Sequence, residues 1–216
     1  MTRIYVFDAY GTLLDVHSAV SALRDEVGPH ADRLSELWRS KQLEYTWVLT
    51  LAQQYRPFDE LTREALDFAA ARIGGLTEQL KAKLLESYRC LSAYPDVEQT
   101  MRALKARGDV TAIFSNGTPK MLTDALAAAK LTELVDVTIS VDTLRQYKTH
   151  PLAYRLVTNH FQCAAEEIIF QSSNRWDIAG ARAFGFTCNW VNRTGMPEEY
   201  AELPPAWVIA SLSELI

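Results

Sequence analysis

The apolar positions of the chain follow two rhythms. Short, nearly unbroken apolar and β-branched runs occur at 3–7, 110–114, 137–141, 168–171, 187–191 and 207–210, and each reads as a buried strand. Between them, apolar residues return every three or four positions over 96–107, 119–130, 151–161 and 177–184, the spacing of an amphipathic helix. Asp96, directly after Pro95, is placed to cap the first of these helices, and Gly108 to end it. Strands alternating with helices over short links predict an α/β core, a Rossmann-like parallel sheet covered on both faces.

One stretch breaks the alternation. From Ser18 to Leu91 no strand pattern appears, and four helices fit at 19–26, 31–55, 59–73 and 77–91, separated at Gly28–Pro29, Pro57 and Gly74–Gly75. A helical cap inserted into the core is therefore expected, with the core at 1–15 and 93–216 and the cap at 16–92. In the long cap helix the apolar stripe runs through Leu34, Leu37, Trp38, Tyr45, Val48, Leu49 and Ala52. Arg39 lies about 100° around the helix from Trp38, which by periodicity alone makes it a solvated surface arginine. Trp38, Tyr45, Trp47 and Tyr55 read as packing residues.

Composition narrows the picture only slightly. With 216 residues, 48% hydrophobic and 23% charged, the chain suits one large globular domain or a domain with an insertion. A net charge of −5 disfavours a nucleic-acid surface and requires any anionic ligand to meet local positive charge. Cys90, Cys163 and Cys188 are scattered and odd in number, and read as buried thiols in a reducing cytosol. Neither a membrane span nor a signal peptide is expected.

The chemistry gathers at strand ends. Ligands of open parallel sheets bind beyond the carboxyl ends of the strands, and four polar clusters are predicted there. Asp8 to Thr12 follow the first strand and Ser115 to Thr118 the second. Lys148 follows the third, with Tyr154 six residues on, and Ser172 to Asp177 follow the fourth. Taken singly, the serines and asparagines are helix caps, Asp177 is the first acid of its helix and Lys148 is a solvated lysine. Converging on one edge, they describe a site. His17, His30, His150 and His160 are dispersed, fit no triad or metal spacing and receive no catalytic role.

The segments "FDAYGTLLD", "FSNGTP", "YK" and "FQSSNRWDIAGA", together with "SELWRSKQLEYTW" in the cap, resemble the haloacid dehalogenase superfamily and, more narrowly, its L-2-haloacid dehalogenases. Two departures separate the chain from the phosphatase branch. Tyr10 stands where the second acid of D-x-D would be, and Ser173 where the first acid of the magnesium loop would be. Mg²⁺ favours carboxylate ligands, so the resemblance implies chemistry with neither metal nor cofactor. A further departure is Thr149–His150–Pro151 after the lysine, where relatives often place proline at once.

The resemblance implies hydrolysis of short (S)-2-haloalkanoic acids to (R)-2-hydroxy acids, with Asp8 as a nucleophile that forms an ester. Ser115 and the backbone N–H groups of Ala9 and Tyr10 would bind the substrate carboxylate. Lys148 would keep Asp8 ionised, Asn174 and Asp177 would handle the water, and Thr12, Ser172 and Tyr154 would support them. Arg39, Asn116 and Trp176 would cradle the halide; only the resemblance lifts Arg39 from the surface to that role. The expected partners are a 2-haloacid, its halide and a second copy in a homodimer, without nucleic acid or membrane. Alternatives are a magnesium-dependent phosphatase of the same fold, another carbon-centred hydrolase using the same nucleophile, and a catalytically silent binding protein.

Overall fold

The computed structural model describes residues 2–216; Met1, which the expected core segment 1–15 and the expectation of no signal peptide include, lies outside them. Among the described residues six strands form one parallel sheet: β1 (Ile4–Phe7), β2 (Val110–Ser115), β3 (Val137–Ser140), β4 (Ile168–Ser172), β5 (Thr187–Val191) and β6 (Trp207–Ile209), in the order β3-β2-β1-β4-β5-β6. Each bound lies within one residue of the expected one, because strands buried on both faces are written as apolar runs. Val6, Phe7, Ile113, Phe114, Ile168 and Phe170 are sealed from solvent, and burying each such side chain stabilises the fold by about 1.5–3 kcal/mol.

The chain leaves β1 for β2 and β3 on one side and returns for β4 to β6 on the other. The reversal opens a crevice over the carboxyl ends of β1 and β4. Asp8 emerges there, its N–H extending the ladder to the Gln171 carbonyl at 2.9 Å.

The helices are α1 (Ser18–Ser21), α2 (Arg24–Val27), α3 (Ala31–Leu51), α4 (Phe58–Arg72), α5 (Glu78–Arg89), α6 (Val97–Ala106), α7 (Pro119–Ala128), α8 (Pro151–Phe161) and α9 (Arg175–Phe184). The helix expected at 19–26 is two short ones, and α3 stops at Leu51 rather than at 55, the chain turning through a left-handed Gln53. Helix α9 begins two residues before the expected start, so Asp177 is its third residue, not its first.

The inward face of α3 also differs from the expected stripe. Leu34, Trp38, Gln42 and Thr46, four residues apart, are buried together with Ser35, whereas Val48 and Ala52 are exposed. Polar Gln42 and Thr46 hide because both are hydrogen-bonded: Gln42 Nε2 donates to Thr62 Oγ1 at 2.7 Å, and Thr46 Oγ1 to the Leu43 carbonyl at 2.7 Å. Trp38 packs as expected, its Nε1–H donating to the Thr62 carbonyl at 2.8 Å. The helical block seats on the loop after β1 through aromatic rings: Tyr10 stacks on Tyr88 at 5.7 Å and meets Phe58 at 5.9 Å. The chain enters and leaves the block side by side, with Asp15 N–H on the Ser92 carbonyl at 2.8 Å and Tyr94 N–H on the Leu13 carbonyl at 3.0 Å.

Gly108 ends α6 as expected, with φ at +78°. Asp96 does not cap it. Its backbone is already helical, and its carboxylate turns away to accept from Arg193 Nη2 at 2.9 and 3.0 Å, Ser211 Oγ at 2.9 Å and Leu212 N–H at 2.8 Å. Burial pushes the Asp96 pKa up, but these donors outweigh it and hold the group below the usual carboxylate range. Among the described residues no helix is long and apolar enough to cross a membrane. All three cysteines are free thiols, but only Cys188 is buried as expected; Cys163 is half-buried, and Cys90 is exposed where α5 ends.

Asp96 therefore ties the C-terminal segment to the core. Asp96→Ala is expected to cost about 2–3 kcal/mol, the range for hydrogen bonds to a charged group, read as a lower urea midpoint with an unchanged slope. An unchanged midpoint would make the tie energetically idle.

Candidate active site

Four strand ends bring the expected residues together. The register sets Phe7 beside Ile113 and Gln171, so the next residues along, Asp8, Phe114 and Ser172, share one level at the mouth of the crevice. From the far side of β2, the loop after β3 carries Lys148 across the Phe114 carbonyl. The lysine is buried to 1% exposure, and its Nζ donates to Phe114 O at 2.7 Å, Asp177 Oδ2 at 2.8 Å and Asp8 Oδ1 at 3.1 Å. All three ammonium hydrogens are used, and the Phe114 ring lies 4.2 Å beneath the charge.

The two oxygens of Asp8 are held unequally. Oδ2 accepts from Asn174 Nδ2 at 2.7 Å, Thr12 Oγ1 at 2.9 Å and Ser172 Oγ at 3.4 Å. Oδ1 accepts from Lys148 alone among the described residues. The Thr12 hydroxyl is committed to that direction, since its oxygen already accepts from Ser173 N–H at 2.9 Å. Ser172 Oγ likewise accepts from Asn174 N–H at 3.1 Å.

Asp177 is wholly buried behind the lysine. Its Oδ1 accepts from the Tyr154 hydroxyl at 2.8 Å, and its Oδ2 faces Lys148. Burial above all, then the charge of Asp8, raises its pKa to about 6 against the opposing pull of Lys148. Tyr154, pushed well above its usual value first by burial and then by Asp177, remains a donor. The tyrosine packs on a glycine of α9: a Cβ at Gly180 would meet its hydroxyl and come within 2.9 Å of Thr149.

Beside Asp8 a tight chamber of about 10 Å³ is lined by Tyr10, Arg39, Leu43, Phe58, Ser115, Asn116 and Trp176. Ser115 Oγ accepts from Gly117 N–H at 3.1 Å, which leaves its own hydrogen free to donate. Asn116 Oδ1 accepts from Lys148 N–H at 3.0 Å, so its Nδ2 is the end left for a ligand. Trp176 forms an outer wall, meeting Trp47 edge-on at 5.5 Å.

Arg39 corrects the surface reading drawn from periodicity. The side chain is half-buried and reaches over the core: Nη2 donates to the Tyr10 carbonyl at 3.1 Å and to Asn174 Oδ1 at 3.4 Å, and Nη1 to Gln42 Oε1 at 2.8 Å. The helix angle was right, but the cap rests its flank on the sheet edge and turns a lateral face into a ceiling. Sequence reasoning passed over Gln42, Leu43, Phe58 and Tyr88. Gln42 had a signal: it continues the buried line of Leu34 and Trp38 at intervals of four, and an amide in that line asks for a partner. Tyr55 donates to Asp142 and Trp47 edges the cleft, so both pack as expected. His150 caps α8, and His17 bonds Ser35 at 2.7 Å.

The donor set does not fit magnesium. Asp8 Oδ2 and the Tyr10 carbonyl are the oxygens a cation would need, and both already accept from Asn174 Nδ2, at 2.7 and 3.0 Å. Ser173, at the position of the missing acid, accepts instead from the cationic Arg193 at 2.9 Å.

A family model for haloacid dehalogenase-like hydrolases matches residues 2–185. The chain is 49% identical over 214 residues to (S)-2-haloacid dehalogenase 1 of Pseudomonas sp. (strain CBS-3), covering 99% of this chain and 94% of that protein. It superposes with a TM-score of 0.96 on the crystal structure of a dehalogenase with an intermediate complex, at 47% identity and over 99% and 95% of the two chains. Against the L-2-haloacid dehalogenase of Xanthobacter autotrophicus with chloropropionic acid covalently bound, the TM-score is 0.90 at 34% identity, over 100% and 97% of the two chains.

Lys148→Met would leave two buried carboxylates without their cation. A loss of about 3–5 kcal/mol at neutral pH is expected. Without the lysine, protonation is the remaining relief, and folded carboxyls raised above their unfolded range gain protons as pH falls. The loss should therefore shrink between about pH 7.5 and about pH 5, read by urea melts of both proteins. An equal loss at the two pH values would show that the carboxylates do not depend on Lys148.

Proposed function

The chain belongs to the haloacid dehalogenase-like hydrolases, and from that membership and the unequal hold on the two oxygens of Asp8 we propose how it works. It is a hydrolase acting on carbon–halide bonds, turning short (S)-2-haloalkanoic acids into (R)-2-hydroxy acids through an aspartyl ester. The observation that carries the mechanism is that Oδ2 is saturated by three donors, whereas Oδ1 accepts from Lys148 alone, on a residue that lines the chamber. Oδ1 attacks C2 from the side opposite the halogen. The C2–Oδ1 bond forms, the C–halogen bond breaks, and the halide leaves with the electron pair. Backside attack inverts the centre.

Ser115 and the backbone N–H groups of Ala9 and Tyr10 hold the substrate carboxylate, and the apolar walls of the chamber favour a short alkyl group. Arg39, Asn116 Nδ2 and the edge of Trp176 receive the halide, supplying positive charge where negative charge develops. In the second step water attacks Cγ of Asp8. Charge then builds on Oδ2, where Thr12, Asn174 and Ser172 already point their hydrogens, a preformed oxyanion site. Asp177, with a pKa of about 6, takes the proton of the water. Lys148, beside Oδ1, gives a proton to the departing hydroxyl oxygen and regains one from Asp177. One water yields the product hydroxyl hydrogen, a carboxylate oxygen and one released proton.

The same reading assigns 1–15 and 93–216 to the core and 16–92 to the cap, since the crossings at Asp15–Ser92 and Leu13–Tyr94 lie against each other. It places the protein in the cytoplasm as a homodimer, for which exposed Trp47, Val48 and Leu51 on α3 supply an apolar face.

Two outcomes are expected. A single turnover in ¹⁸O-water with enzyme in excess should place label in Asp8 and leave the product unlabelled; label in the product hydroxyl would make Asp8 a base for water instead of a nucleophile. Turnover should also rise with an acid limb centred near 6, because Asp177 must be ionised to act and is protonated below that value. Asp177→Asn should lose the limb and accumulate ester, visible by intact-mass spectrometry. A variant that turns over normally with the limb intact would remove Asp177 from the second step.

A further inference from the structure

The mechanism leaves one buried polar cluster unused. Gln42, with no exposed surface, does not line the chamber, yet it is bonded at both ends of its amide. Oε1 accepts from Arg39 Nη1 at 2.8 Å and from the Tyr88 hydroxyl at 3.2 Å, and Nε2 donates to Thr62 Oγ1 at 2.7 Å. The orientation of the amide is forced. A guanidinium can only donate, so it must face the oxygen. Thr62 spends its hydrogen on the Phe58 carbonyl at 2.7 Å, so it can only accept, and must face the nitrogen. Tyr88 in turn stacks on Tyr10, whose carbonyl takes the other terminal nitrogen of Arg39. The guanidinium is thus fixed at three points, on Gln42 in the cap, on the Tyr10 carbonyl of the nucleophile loop and on Asn174 Oδ1.

We infer that Gln42 is a positioning residue for halide departure: it holds the plane of Arg39 so that the guanidinium charge stays on the wall of the chamber. The inference rests on the reading of Arg39 as a halide ligand. A free arginine has many rotamers, and ordering it only when the halide departs would place that entropy on the transition state. Gln42, Thr62 and Tyr88 order it beforehand. No bond is made or broken by the glutamine itself. Its influence should fall on carbon–halogen cleavage and not on ester hydrolysis, which uses Asp177 and the donors around Oδ2.

The test is a double-mutant cycle with Gln42→Met, which keeps length and burial and removes both hydrogen-bonding ends. Wild type, Gln42→Met, Arg39→Ala and the double variant would be compared on 2-chloro- and 2-bromopropionate, with decay of the covalent ester followed after rapid quench. Gln42→Met is expected to lose about 10–100-fold in kcat/KM on the chloride, in the range for a misplaced catalytic group, and less on the bromide, whose better leaving group leans less on the cradle. Ester decay should be unchanged. In the Arg39→Ala background, Gln42→Met should cost less than about twofold, because its effect has no remaining carrier. Multiplying losses, equal losses on the two substrates, or slower ester decay would overturn the inference. If Arg39→Ala itself keeps the wild-type ratio between substrates, the halide reading falls and this inference with it; a shifted ratio in Arg39→Ala alone overturns only the role of Gln42. Should Gln42→Met fail to fold, Tyr88→Phe removes only the hydroxyl that braces Oε1. A smaller shift in the same direction is expected there, and an unchanged ratio would be decisive against the proposal.

Discussion

The Lys148 ammonium sits without exposed surface between Asp8 and Asp177, and removing such a charge from water costs several kcal/mol unless good geometry offsets it. Here every hydrogen of the ammonium has an acceptor, and an aromatic ring lies under the charge. Two carboxylates around one cation leave a net negative charge in the interior, and the remaining donors answer it: Asn174, Thr12 and Ser172 on one acid, Tyr154 on the other. Removing the lysine would leave each of those hydrogen bonds serving an unbalanced anion. The two acids consequently differ. Asp8 is a hydrogen-bonded anion with one oxygen available, and Asp177 is a desolvated acid whose proton affinity is raised toward neutrality.

Much of this was legible in the sequence because it depends on backbone order. A sheet covered on both faces writes its strands as apolar runs, and the strand ends then fix where Asp8, Ser115, Lys148 and Ser172 must meet. What was not legible depends on how one layer rests on another. Arg39 reads as a surface arginine because helical periodicity reports which face is apolar, not which flank meets another domain. Asp96 reads as a cap because the motif is local, whereas its partners Arg193 and Ser211 lie about a hundred residues on. The inward line of α3 was blurred because Gln42 and Thr46 are polar; hydrogen bonding, not apolarity, lets them be buried.

Asn174 shows how closely two chemistries can share a scaffold. Its amide nitrogen bridges Asp8 and the Tyr10 carbonyl, while its oxygen takes Arg39. The amide offers a fixed dipole where a metal site would need further carboxylates. A dipole satisfies one oxygen of Asp8 without drawing electrons from both, which suits a carboxylate that must attack carbon. Tyr10 completes the exchange with a ring where an acid would sit, stacked on Tyr88 and so joined to the cap.

The paired crossings between sheet and cap carry an evolutionary consequence. Because Asp15 meets Ser92 and Leu13 meets Tyr94 directly, the core presents its two chain ends at a single junction, and a helical cassette of another length can be spliced there without moving a strand. Asp8, Lys148 and Asp177 all stand beyond the ends of strands of the sheet, outside the helical block. Arg39, reaching over Tyr10 and Asn174, belongs to the cassette. Selection can therefore reshape one wall of the chamber, the side carrying Arg39, Leu43 and Phe58, by editing one contiguous stretch of gene.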